Sequence, residues 1–398
     1  MDVLEKINEQ GVSLVIGARN EFPQVCMTIA SLMEDMYSSG ITKFEFILMD
    51  NGSEDETSRF FAWKPSEKGK FWKYEYSPRG LVNEGLLRIF YDPVLSNVGT
   101  RNKGVLKAKY QNIIFSDAHI TVRAGTVKNV LETLIEHEGI VHAPISWMGA
   151  SCNNPQAGYQ YSYKVGEKIW GTWNKVKVAD TPFYISICGH AFIAVKKKQF
   201  LEFKGYPLAQ RVYGGGEPYL DTKYWMLGST SMMDPRALVY HLSAGRGYSW
   251  HNHDLIHNML LVSYILGGEK WLDRIRITYL NSERINHAYL NLLTKEALEE
   301  AKEDFEWLQA NKKYDFEQVL ALDDYEPKLY PRCEKCTKRG YSDPHEMRPW
   351  DYLNEQLHGT HRSFVAEFKL RKDENGNIFI GNTPIVVPEA IEIANKYL

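Results

Sequence analysis

Ile113-Ile114-Phe115-Ser116-Asp117-Ala118-His119 is an apolar run of strand length that stops abruptly in Asp-x-His. Side chains two apart on a strand share a face, so Asp117 and His119 are expected to emerge together from its C-terminal end. A carboxylate oxygen and an imidazole nitrogen at that spacing can share one divalent cation. Alone the tripeptide says little, because a lone histidine is more often a hydrogen-bonded structural residue than a ligand. The rest of the chain decides the reading.

Upstream, residues 12–16 form a short apolar run ending in Gly17-Ala18-Arg19-Asn20-Glu21. Residues 44–49 form another, ending in Asp50-Asn51-Gly52-Ser53. Between them Val25, Ile29, Leu32 and Met36 predict a helix over 23–37, with Pro23 in its first turn. Further strands are expected at 87–91 and 140–143, and helices at 100–109 and 126–136. Strands alternating with helices predict an α/β fold with a mainly parallel sheet and helices on both faces. In such sheets ligands bind beyond the carboxyl ends of the strands. The polar clusters at 19–21, 50–53 and 117–119 all fall there, although Asp50-Asn51-Gly52 alone is equally a turn.

The chain has 398 residues, 44% of them hydrophobic, and a net charge of −3. That suffices for one large domain with a smaller appended part. It argues against bulk binding to nucleic acid or a membrane surface while leaving room for a local basic patch. Residues 1–6 lack the basic and apolar regions of a signal peptide, and no run reaches membrane-spanning length. Five cysteines do not make a disulfide framework. A cytoplasmic protein without a membrane partner is expected.

Six segments stand in a fixed order. They are Ile16-Gly17-Ala18-Arg19-Asn20-Glu21, Asp50-Asn51-Gly52-Ser53-Glu54-Asp55-Glu56-Thr57, and Asn97-Val98-Gly99-Thr100-Arg101. Asp117-Ala118-His119 follows, then Gly189-His190-Ala191-Phe192 with Phe203-Lys204-Gly205-Tyr206-Pro207, and last Gly214-Gly215-Gly216-Glu217. Together, from about residue 12 to about 248, they resemble the GT-A glycosyltransferases. The likeness is chiefly to family 2, with features similar to the polypeptide N-acetylgalactosaminyltransferases. The resemblance implies a GT-A, Rossmann-like fold and a nucleotide-sugar donor, above all a UDP-sugar. It places Arg19, Glu21, Asp50, Asn97, Gly99 and Arg101 on the donor and a metal at Asp117 and His119.

The chemistry agrees with that assignment. A departing nucleoside diphosphate carries concentrated negative charge, which a divalent ion neutralises. His241, after a predicted strand, is the candidate third ligand, in competition with His251, His253 and His257. Mixed oxygen and nitrogen ligation suits Mn2+ somewhat better than Mg2+. Arg246, in the glycine-rich stretch 243–248, would add positive charge at the phosphates. Glu217 is the first candidate to deprotonate an acceptor hydroxyl, and Asp221, one helical turn on, the second. Inverting relatives place a second acid beside the Glu217 position, where this chain has Pro218. Retaining relatives need no base, so the stereochemistry stays open.

The expected organisation is a catalytic domain at 1–253, a helical extension at 254–330 and a small α+β segment at 331–398. Cys333-Glu334-Lys335-Cys336 can supply half of a structural Zn2+ site with His345, His358 or His361, or be two reduced cysteines. Arg332, Lys335, Lys338 and Arg339 make this turn basic, for phosphate contact or merely as a solvated loop. Strands at 364–370 and 378–380, joined through Asn375-Gly376, predict a hairpin, and 388–398 a closing helix. The leading function is a metal-dependent sugar transferase acting on a hydroxyl of a glycan, protein, small molecule or hydroxylated nucleic-acid base. A nucleotidyltransferase lacks support, because no glycine- and basic-rich loop follows the first strand. A non-catalytic nucleotide-sugar binding protein is the third reading.

Overall fold

The computed structural model describes residues 2–57, 85–148, 159–160, 172–173, 181–242, 249, 251–282, 285–320, 322 and 370–398. Strands β1 (Val12–Ala18), β2 (Phe44–Asp50), β3 (Leu87–Tyr91) and β4 (Asn112–Asp117) lie parallel in the spatial order β4-β1-β2-β3. β1, β2 and β4 are rich in apolar residues because both their faces are covered, whereas β3 at the edge is only partly buried. Leu14, Ile16, Phe46 and Leu48 enter one apolar cluster, and Val15, Ile47 and Met49 the other. Beyond β4 the sheet continues through β11 (Phe192–Lys196), β6 (Ile140–His142), β12 (Ser231–Met233) and β10 (Phe183–Tyr184). Only β11 and β10 run against the other strands of this sheet. Ala18 stands opposite Asp50 and Gly17 opposite Asp117, so the loops after β1, β2 and β4 open on one edge.

Helix α1 (Val3–Gln10) lies beside α4 (Thr126–His137), which with α2 (Gln24–Ser38) covers one face. The other face carries α3 (Asn97–Lys107), α6 (Gly216–Met226) and α7 (Asn252–Leu280), while α5 (Lys197–Glu202) follows β11 directly. Helix α3 starts at Asn97, ahead of the expected Thr100, because Ser96 caps it: its Oγ accepts the Gly99 N–H at 3.0 Å. The helix crosses β1 so closely that a Cβ at Gly104 would lie 2.3 Å from Val15 Cγ1.

The helical extension expected at 254–330 opens with two helices, α7 and α8 (His287–Asn311), and Gly268, at φ 69°, breaks α7 internally. Next comes α9 (Phe316–Leu320). The hairpin begins where its first strand was expected to end: β14 (Leu370–Lys372) pairs with β15 (Ile378–Ile380). The Asp373 carboxylate accepts the N–H groups of Asn375 and Asn377, which makes 373–377 the turn. The expected strand residues 364–369 lie outside the described residues. Strand β16 (Thr383–Pro384) joins β15, and α10 (Pro388–Asn395) closes the chain. Leu370, Ile378 and Ile393 belong to the same apolar cluster as Leu260 and Ile265 of α7. Among the described residues no helix is long and apolar enough to cross a membrane.

Candidate active site

A small second sheet completes the edge where β4 ends. It orders β5 (Ile120–Val122), β13 (Val239–His241) and β7 (Ile145–Trp147), and apart from it β8 (Tyr159–Gln160) pairs with β9 (Thr172–Trp173). His241 stands opposite Ile120, and the Leu242 N–H donates to the His119 carbonyl at 3.0 Å. This backbone pairing carries His241 to the Asp-x-His corner. Ligand atoms of Asp117, His119 and His241 all lie within 4.8 Å of one another, and the three side chains are half-buried. His241 Nε2 is 3.4 Å from Asp117 Oδ2, and the two imidazoles meet edge to face at 4.7 Å. One carboxylate oxygen and two imidazole nitrogens in mutual reach fit a divalent transition ion such as Mn2+. The same donor set also serves non-haem iron, so the donors alone do not define a reaction.

Glu21, expected on the donor, faces His119, with Oε1 3.2 Å from Nδ1. A carboxylate there fixes the tautomer and the orientation of a ligating ring. The Glu21 backbone is itself anchored, its N–H donating to Thr57 Oγ1 at 2.9 Å. Among the described residues the competing histidines lie outside this cluster. His257 is buried against Glu300 at 2.9 Å, the His253 ring packs 4.2 Å from Tyr289, and His251 stands at the N-cap of α7.

Arg101, also expected on the donor, makes contacts within the protein. It is buried beneath the Asp-x-His corner, where Nη2 donates to Asp117 Oδ1 at 3.2 Å and to the His190 carbonyl at 2.8 Å. Its Nη1 donates to Tyr206 Oη at 3.3 Å. Burial pushes the Asp117 pKa up, but the His241 hydrogen bond and the charges of His119 and Arg101 outweigh it and hold the carboxyl well below the usual range.

Glu217 lies in the first turn of α6, half-buried, and its Oε1 accepts the His190 N–H at 3.1 Å. Burial raises its pKa above the ordinary carboxylate value, against the opposing pull of His190 and Arg101. Asp221, the second candidate base, is fully buried. Its Oδ1 accepts from the Cys188 N–H at 3.0 Å and from Ser231 Oγ at 2.6 Å, while Oδ2 is 2.7 Å from His190 Nε2. Tyr206 Oη holds the other ring nitrogen of His190 at 3.0 Å. His190 and Tyr206 thus join Asp117, through Arg101, to both carboxylates of α6. Both residues stand within sequence motifs, but only the fold shows what their side chains meet.

On the donor side Asp50 is fully buried, and its Oδ1 accepts the Ser53 N–H at 2.9 Å. Its Oδ2 has no hydrogen-bond partner among the described residues. Arg19 Nη1 donates to the Asn51 carbonyl at 3.0 Å. Asn97 is exposed at the start of α3, and the Gly99 N–H is engaged by Ser96. Arg246, Cys333, Cys336 and the basic residues around them lie outside the described residues.

A mainly parallel sheet with these strand-end loops, ending on a Gly-Gly-Glu helix start, is the fold of the GT-A glycosyltransferases. The sequence matches no protein-family model and no curated protein. Among solved structures the chain is similar to GalNAc-T7 crystallised with UDP, GalNAc and Mn2+, with a TM-score of 0.53 and 17% identity. That likeness covers 76% of this chain and 56% of GalNAc-T7, so this chain spans little more than half of that protein. It is also similar to S. aureus TarS 1-349, solved alone and in complex with UDP-GlcNAc, at TM-score 0.45 and 12% identity over 94% of this chain and 99% of that one.

Proposed function

We propose that this chain is a cytoplasmic, metal-dependent glycosyltransferase that moves a sugar from a nucleoside diphosphate donor, a UDP-sugar, to a hydroxyl acceptor. The observation that carries the reading is the Asp117-His119-His241 cluster at the open edge of the sheet, tied through Arg101 and His190 to Glu217. Asp117, His119 and His241 would hold Mn2+ or Mg2+, and the bound ion would supply Lewis-acid neutralisation of the departing diphosphate. Asp50, with one buried oxygen lacking a donor, would accept a hydrogen bond from the base or ribose. Arg19 and Arg246 would contact the nucleotide. Glu217 would take the proton of the acceptor hydroxyl, its raised pKa making it a stronger base than an ordinary carboxylate. Asp221 would act indirectly, by fixing the His190 ring.

The test is a donor screen that measures nucleotide release from UDP-, GDP- and TDP-sugars with Mn2+ or EDTA. Release is expected from UDP-sugars with Mn2+, and loss of it with EDTA. Asp117→Ala is expected to abolish release while the far-UV circular dichroism stays that of wild type. Full activity in that variant would overturn the metal assignment. Labelled donor offered with glycans, proteins, small hydroxylated compounds and DNA bearing hydroxylated bases then sorts the acceptor class.

A further inference from the structure

The turn that presents Glu217 has little regular structure of its own. Gly214 and Gly215 both adopt left-handed conformations, at φ 98° and 79°. A Cβ at Gly214 would meet Leu255 Cδ1 at 2.3 Å, so the turn is pressed against α7. Its polar backbone converges on one side chain of that helix. Asn258, fully buried, accepts the Arg211 N–H on Oδ1 at 2.8 Å. Its Nδ2 faces the carbonyls of Arg211, Tyr213 and Gly214 at 3.2, 2.9 and 3.2 Å. Gln210 Nε2 adds a second donor to the Gly214 carbonyl at 2.7 Å, and Arg211 is tied to Glu296 of α8 at 2.6 Å.

We infer that Asn258 is a positioning residue for the transfer step: it clamps residues 211–214 so that α6 starts at the place that aims Glu217 at the acceptor. A turn with two left-handed glycines has many accessible conformations, and one buried amide that satisfies several of its backbone groups selects among them. Two features support this over plain helix packing. The hydrogen bonds from Asn258 to this turn all go to backbone groups within four residues, and its Oδ1 also lies 3.3 Å from Nδ1 of the adjacent His257. That stretch ends three residues before Glu217. The inference rests on the reading of Glu217 as the base.

The experiment joins hydrogen exchange with a double-mutant cycle, using UDP-GlcNAc and UDP-glucose with Mn2+ as probes. In Asn258→Ala, amide exchange over residues 211–217 is expected to quicken by about tenfold or more, with the amides of β1 and β4 unchanged. Nucleotide release should lose about tenfold or more in kcat, while donor KM and Mn2+ affinity stay within about twofold of wild type. In a Glu217→Gln background the same change should lower kcat no further, because the group being aimed is already gone. Asn258→Asp keeps the volume and the Arg211 acceptor but loses the donors, and it carries the test if the alanine variant does not fold. Unchanged exchange would overturn the clamp and leave Glu217 standing as base. Losses that add in the double mutant would overturn action through Glu217. A wild-type kcat in Glu217→Gln alone would remove the base, and with it the positioning role, whatever the exchange shows.

Discussion

Replacing Glu21 by alanine leaves all three candidate metal ligands in place and still should weaken the metal. Glu21 is 8% exposed, and its carboxylate lies 3.2 Å from His119 Nδ1. A hydrogen bond to a charged partner contributes about 1.5–3 kcal/mol, and about 1.4 kcal/mol is a factor of ten in affinity. The expected loss of Mn2+ affinity is therefore about 10- to 100-fold, the range seen when the outer partner of a ligating histidine is removed. The substitution spares the backbone, so the Glu21 N–H keeps its bond to Thr57 Oγ1. Glu21→Gln retains an acceptor for Nδ1–H without the charge, and its loss should be smaller, about three- to tenfold. Titration of free Mn2+ by electron paramagnetic resonance reads this directly and needs neither donor nor acceptor. An alanine variant whose Mn2+ Kd stays within about twofold of wild type would refute the reasoning. If UDP binding without metal fell instead, Glu21 would be the donor contact that its motif implied.

Gly104→Ala should destabilise the fold by about 1–2 kcal/mol, since the strain of an added methyl in a packed core exceeds the gain in helix propensity. Its Cβ would meet Val15 of β1 at 2.3 Å, so Val15→Ala in the same chain should recover part of the loss. A urea midpoint equal to or above wild type would contradict the close crossing. Lys196 is lowered from 10.5 to about 8 by burial, with Nζ donating to Gln10 and Asn112. Between those pH values the unfolded chain binds more protons at this lysine than the folded one, so its contribution to stability rises as pH rises through the window. Relative to Lys196→Met, wild type should gain about 1–2 kcal/mol from pH 8 to 10.5, less than the full linkage value because the side chain is partly exposed. A flat difference in unfolding free energy across that range would show the lysine to be unperturbed.

Much of this arrangement is legible in the sequence. Apolar runs that stop in Arg19-Asn20-Glu21, Asp50-Asn51-Gly52 and Asp117-Ala118-His119 do lie level at one sheet edge, because parallel pairing puts Ala18 opposite Asp50 and Gly17 opposite Asp117. His241 could be singled out because it ends a strand before a glycine-rich stretch. Its place opposite Ile120 depended on a strand pairing that no local pattern encodes. Partners were harder to read than positions. Glu21 and Arg101 stand in donor-contact motifs, yet their side chains turn to His119 and Asp117. Asp221 sits one turn after Glu217 as helical spacing requires, but the helix is enclosed, and that spacing buries it. Asn258 carries no motif at all; its importance lies in four carbonyl and amide groups that only the folded turn brings together.

His241 reaches its place as a strand partner of Ile120, and this has a consequence for synthesis. A growing chain possesses Asp117 and His119 long before the residue that would complete their grip. Until the segment ending at residue 241 leaves the ribosome and zips onto β5, the corner would offer an ion just two of its three candidate ligands. Ion capture would thus report on late closure of the fold, and a fragment stopped before Val239 should bind Mn2+ poorly even with its first four parallel strands intact.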